Sequence, residues 1–66
     1  MKRKIWDYLF VLTENSDNEG EEFLVEASSM AEACEILEEH GFDDDEYKYI
    51  TKMSVLEGEM LGLDTY

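Results

Sequence analysis

The sequence has no proline, one cysteine, one histidine, and five Lys and Arg residues against 18 Asp and Glu. Each shortage excludes something. A lone Cys34 cannot close a disulfide within the chain. One unpaired thiol also fits a reducing cytoplasm better than a secreted setting. With only His40, no second imidazole is present to build a zinc site of ordinary spacing. The scarcity of cations leaves a net charge of −13 and no basic face for nucleic-acid phosphates. No segment approaches the ~20 apolar residues of a membrane span. The basic start, Met1 to Lys4, followed by Ile5 to Leu12, has the outline of a secretory signal. Asp7 interrupts its apolar run and no small-residue cleavage site follows, so it reads as the first strand of a cytoplasmic protein.

What is present is enough for a fold. Apolar residues make up 44% of the 66 positions and aromatics 12%, which argues against disorder and for one domain spanning residues 1–66. A domain of this size buries only about 60% of its unfolded surface and is marginal. With no disulfide or evident metal, oligomerisation is the expected source of extra stability.

Ile5 to Thr13 is rich in aromatic and β-branched residues and reads as a strand. Trp6, Tyr8, Phe10 and Leu12 fall on one face, Ile5, Asp7, Leu9 and Val11 on the other. Both faces are largely apolar, as expected of a central strand covered on both sides. A polar loop from Glu14 to Glu21 leads to a second strand, Glu22 to Ala27. Ser29 and Glu32 have capping-box spacing, and Met30, Ala33, Cys34 and Leu37 form one apolar helical stripe. Gly41 and Phe42 fit a Schellman stop. After the acidic loop Asp43–Glu46, a third strand is expected from Tyr47 to about Leu56, with Tyr47, Tyr49, Met53 and Val55 on one face and Lys48 and Lys52 on the other. The tail, 57–66, suits a short fourth strand, a helical turn or a dimer contact. The fold class is therefore α+β: a β-β-α-β domain with a three-stranded, mainly antiparallel sheet, one helix on one face and a short fourth element at the C-terminus. A right-handed crossover makes the second and third strands parallel and puts the first between them, in the order 2-1-3. One helix covers one face, so the tail or a second subunit has to cover the other.

Candidate chemistry is sparse. Asn15, Asp17, Glu19, Gly20 and Glu26 match part of a calcium-loop template, but the loop opens with Asn and its flanks read as strands, which favours a plain hairpin. Asp43–Glu46 reads as a solvated charge run rather than a metal site. Cys34 and His40 are six apart in one helix and point to different sides, so they make no nucleophile–base pair. Trp6, Tyr8, Phe10, Tyr47 and Tyr49 read as core rather than as a base-stacking platform. No catalytic residue, cofactor or metal ligand is assigned.

Acidity carries most of the functional information. Between Ile5 and Tyr47 there is no Lys or Arg at all. Charges this close, at a Debye length of ~8 Å, repel and lower stability. Duplex DNA carries about one negative charge per ~1.7 Å of axis, so a chain of this size spans a comparable number of phosphates. Carboxylates on a stiff sheet–helix scaffold can occupy a basic groove meant for nucleic acid, with association steered by the field. The plainer reading is that acidity only keeps the protein in solution. Size, acidity and β-β-α-β order resemble small phage- and mobile-element-encoded inhibitors, such as anti-CRISPR proteins and uracil-DNA glycosylase inhibitors. No family motif is matched, so no residue role transfers. The resemblance implies a protein partner that handles nucleic acid, bound at its basic channel; the acidic composition and the lack of a long apolar segment argue against direct contact with nucleic acid or membrane.

The expected function is thus a non-enzymatic inhibitor or competitor. Its partner-binding acids would be Glu14, Asp17, Glu19, Glu21, Glu22, Glu35, Glu38, Glu39, Asp43, Asp44, Asp45 and Glu46. The alternative is a small homodimeric adaptor or structural protein, with Met60, Leu61 and Leu63 as candidate self-association residues.

Overall fold

The computed structural model describes residues 4–66. Lys2 and Arg3 of the signal-like start lie outside them. The elements are β1 (Trp6–Leu12), β2 (Glu22–Ala27), α1 (Met30–Glu39), β3 (Tyr47–Ser54) and α2 (Val55–Leu61). The sheet order is β2-β1-β3, with β1 antiparallel to both neighbours. β2 and β3 are therefore parallel, as the crossover rule requires.

β1 sets the layers. Its Tyr8, Phe10 and Leu12 join Phe23, Val25 and Ala27 of β2 and Ala33 and Leu37 of α1 in one buried core. Aromatic rings run across it. Phe10 stacks on Phe23 at 5.8 Å and meets Tyr47 edge-on at 5.3 Å; Phe23 continues to Phe42 at 5.6 Å and Tyr66 at 5.4 Å. Each such pair adds about 0.5–1.5 kcal/mol beyond the area it buries.

Both ends of α1 follow from the sequence. The Ser29 hydroxyl accepts from the Glu32 amide at 3.2 Å. Glu32 reaches back to the Ser28 amide at 2.9 Å, one residue earlier than a standard capping box. At the other end the Phe42 amide donates to Leu37 and the Gly41 amide to Glu38, each at 3.0 Å. Gly41 has φ +88°, which a residue with a Cβ adopts only under strain.

The far face of the sheet is covered by the chain itself. Ser54 ends β3 two residues earlier than expected, and its hydroxyl caps α2 by accepting from the Glu57 amide at 3.2 Å. α2 lies over the Asp7 side of the sheet, and the residues after it pair with the outer edge of β2. The Leu24 amide donates to Asp64, the Tyr66 amide to Leu24 and the Glu26 amide to Tyr66, at 2.8, 2.8 and 3.1 Å. Leu24 and Thr65 form a parallel bridge. The tail is thus both a helix and a short strand, and Leu24 is buried beneath it.

β3 departs from simple alternation. Leu9 pairs with Thr51 but Phe10 pairs with Tyr49, so Ile50 is an extra residue, a β-bulge. Tyr47 and Tyr49 share the core face as expected. Beyond the bulge the phase inverts: Lys52 pairs with Tyr8 on the α1 side, and Met53 pairs with Asp7 on the α2 side. Met53 therefore leaves the tyrosine face, and Lys48 and Lys52 lie on opposite faces.

Gly58 is buried where α2 meets the sheet, and a Cβ there would overlap Oδ2 of Asp7 and sit 2.7 Å from its Cγ. Gly to Ala inside a helix ordinarily gains about 1 kcal/mol. Here the sign reverses: Gly58→Ala is expected to destabilise by about 1–3 kcal/mol in urea melts, and Asp7→Ala in the same chain to recover most of that loss. An unchanged or raised midpoint for Gly58→Ala alone would refute this seating of α2.

Candidate functional site

The strand pairing gives the sheet two unlike ends. At one end Leu12 of β1 meets Tyr47 of β3, and its amide donates to the Glu21 carbonyl before β2 at 2.9 Å. The β1–β2 loop and the α1–β3 loop both emerge here, and hydrogen bonds lace them together. The Thr13 amide donates to the Glu46 carbonyl at 2.9 Å. The Thr13 hydroxyl and the Asn15 side-chain amide both donate to the Asp45 carbonyl, at 2.6 and 3.2 Å.

This lacing joins two acidic segments that are distant in sequence. Glu14, Asp17, Glu19, Glu21 and Glu22 come from one side, and Asp43, Asp44 and Asp45 from the other, all exposed. Glu38 and Glu39 add the last turn of α1, also exposed. Glu35 is exposed one turn further back. Glu46 behaves differently from its neighbours: it is half-buried, and Oε1 accepts from the Asp43 amide at 2.9 Å. It closes its own loop instead of facing outward, which corrects the reading of 43–46 as a uniformly solvated run.

Tyr47 registers the local field. Its phenol is pushed up to about 12, first by burial, then by a hydrogen bond with Cys34, with the charges of Asp44 and Glu38 adding. Cys34 therefore partners Tyr47, while His40 packs against Tyr66 at 4.9 Å, so the two residues are placed apart.

Cations gather at the other end of β1, some 20 Å away along seven residues of strand. Nζ of Lys4 and of Lys52 lie 4.3 and 4.7 Å from the centre of the Trp6 ring, within cation–π range. Lys48 is the exception; it pairs with Val11, on the flank of the acidic end.

Of the candidate self-association residues, Met60 and Leu61 are exposed on α2, whereas Leu63 is half-buried. Leu56 joins the exposed pair. Trp6, Tyr8, Phe10 and Tyr47 belong to the core or pack against it. Among the described residues no group of three or more His, Cys, Asp or Glu is arranged to hold a metal ion, and no helix is long and apolar enough to cross a membrane. The unexpected residue is Asp7, a buried carboxyl in the central strand. Its sequence signal was an acid set between Trp6 and Tyr8. Comparison with protein-family models, curated proteins and solved structures finds no match.

The raised Tyr47 phenol has a definite alkaline signature. The unfolded chain releases this proton near 10 and the folded chain near 12. The part of stability linked to this phenol is therefore full below pH 10 and falls as pH rises between these values. That part of the alkaline loss is expected to be missing in Tyr47→Phe, measured by urea midpoint against pH. Equal slopes in both proteins would refute it.

Proposed function

We propose that the protein binds another protein through its acidic end, occupying a basic surface of the kind that handles nucleic acid. The observation that carries this reading is the hydrogen-bonded union of the two acidic loops, away from the Lys4 and Lys52 ammoniums. With the two loops tied together by these hydrogen bonds, the backbone that carries the carboxylates needs little further ordering on binding. One dimension of the molecule is 23 Å, a length of duplex that carries about 14 phosphate charges. The carboxylates at this end are of the same order in number. An arginine- or lysine-lined groove would meet a similar density of negative charge from either. This is a binding role without catalysis, and the single half-buried thiol suits a cytoplasmic setting.

The test is capture from a cell lysate at low salt, with stepwise salt elution and duplex DNA as competitor. The expected partner binds DNA, leaves the column at moderate salt, and is displaced by duplex. It is not retained by a chain carrying Asp43→Asn, Asp44→Asn and Asp45→Asn. Retention that ignores both salt and these substitutions would overturn the reading.

A second reading, a homodimeric adaptor, draws on Leu56, Met60 and Leu61, which are 72%, 83% and 49% exposed on α2. It requires a dimer at micromolar concentration that Met60→Lys dissociates, as measured by light scattering.

A further inference from the structure

Asp7 is 2% exposed and occupies the middle layer of the molecule. Its Oδ1 has no hydrogen-bond partner among the described residues. An ionised carboxylate so placed loses its water and gains nothing in return, whereas the neutral acid loses far less. The charges that face it make ionisation still harder. Across β2, Glu26 is its register partner on the same face. From α2 comes Glu59, next to Gly58, with Glu57 on the other side of that glycine. From β3 comes Met53, which is uncharged; Lys48 of β3 shares this face but is exposed and pairs with Val11, four residues along β1 from Asp7. Lys4 and Lys52 are engaged with Trp6, whose side chain lies on the opposite face of β1, the side on which α1 and its Glu32 also lie.

α2 has little else to hold it. Gly58 is its buried residue and Val55 is half-buried, while Leu56, Met60 and Leu61 face solvent. The helix adjoins β3, and on β1 its seat is the close approach of Gly58 to the Asp7 carboxyl.

We propose that Asp7 is a proton-operated latch for α2 and the C-terminal strand: the neutral carboxyl lets the helix close over Gly58, and loss of the proton loosens residues 55–66. Burial raises this carboxyl above its ordinary 3.8, and Glu26 and then Glu59 raise it further. The sign follows from that direction. The latch is fully closed below the unfolded value and weakens as pH rises through the folded one. Opening bares Leu9 and Leu24 and frees the outer edge of β2, an apolar strip beside an unpaired strand. The latch does not depend on the role assigned to the acidic end.

Hydrogen exchange on the whole chain, read by NMR between about pH 4 and about pH 8 and corrected for intrinsic rates, tests it. The amides of Leu24, Glu26 and Tyr66, which bond across the tail junction, are expected to lose protection by up to tenfold per pH unit above the midpoint. Core amides of β1 are expected to hold. Asp7→Asn removes the pH dependence, and Glu59→Gln moves the midpoint to lower pH without removing it. The Asp7 carboxyl carbon titrates at the same midpoint. If Asp7→Asn does not fold, Glu59→Gln and Glu26→Gln carry the test alone. Protection that is flat with pH in the native chain, an identical profile in Asp7→Asn, or an Asp7 that titrates at its ordinary value would each overturn the latch.

Discussion

Everything in this fold follows from a central strand that touches water almost nowhere. β1 has a strand on each side, α1 over one face and α2 over the other. A chain with 35% charged residues must then place its charge around that strand. The covered faces and the β2 edge are closed to it, so most of the carboxylates leave through the loops at the Leu12 end and the helix surface beside them. Clustering of acids at one end is thus partly a result of where the core lies. The core needs the apolar strand, and the strand decides which end the acids share.

The lacing of the two loops adds what burial alone does not supply. Thr13, Asn15 and the Asp45 and Glu46 carbonyls join segments thirty or more residues apart without using the exposed carboxylates. Glu46 is the one acid of its run turned to a structural task. Repulsion among the others opposes this closeness, and uncharged hydrogen bonds hold the two loops together against it. The arrangement keeps anionic oxygens outward on a hydrogen-bonded frame.

Much of this was legible in the sequence where the signals were local. The helix stripe, the Ser29 cap and the Gly41–Phe42 stop depend on residues within a few positions of one another, and all appear as read. The two faces of β1 were visible because its alternation is unbroken. The inversion within β3 was not, because a bulge at Ile50 depends on the partner strand as much as on β3 itself. α2 had a signal that went unused: Ser54 and Glu57 repeat the spacing of Ser29 and Glu32. A glycine in mid-helix hid it, and that glycine is explained by Asp7, about fifty residues away in sequence. The candidate acids were identifiable by type, but their meeting at one end required the tertiary pairing.

The bulge and the two lysines of β3 also bear on how copies of this chain can meet. Among the described residues no strand pairs with the outer edge of β3, whereas the outer edge of β2 is taken by residues 64–66. Lys48 and Lys52 stand equally far from Ile50. If two copies zipped antiparallel about that residue, each Lys48 would share a register position with the other chain's Lys52 but point to the opposite face, so the alternation of the two edges would not match. The extra residue further spoils the straight run that cross-β growth requires. The open edge of the sheet is thus poorly suited to edgewise pairing: one misaligned isoleucine breaks its alternation, and a lysine on each face charges it.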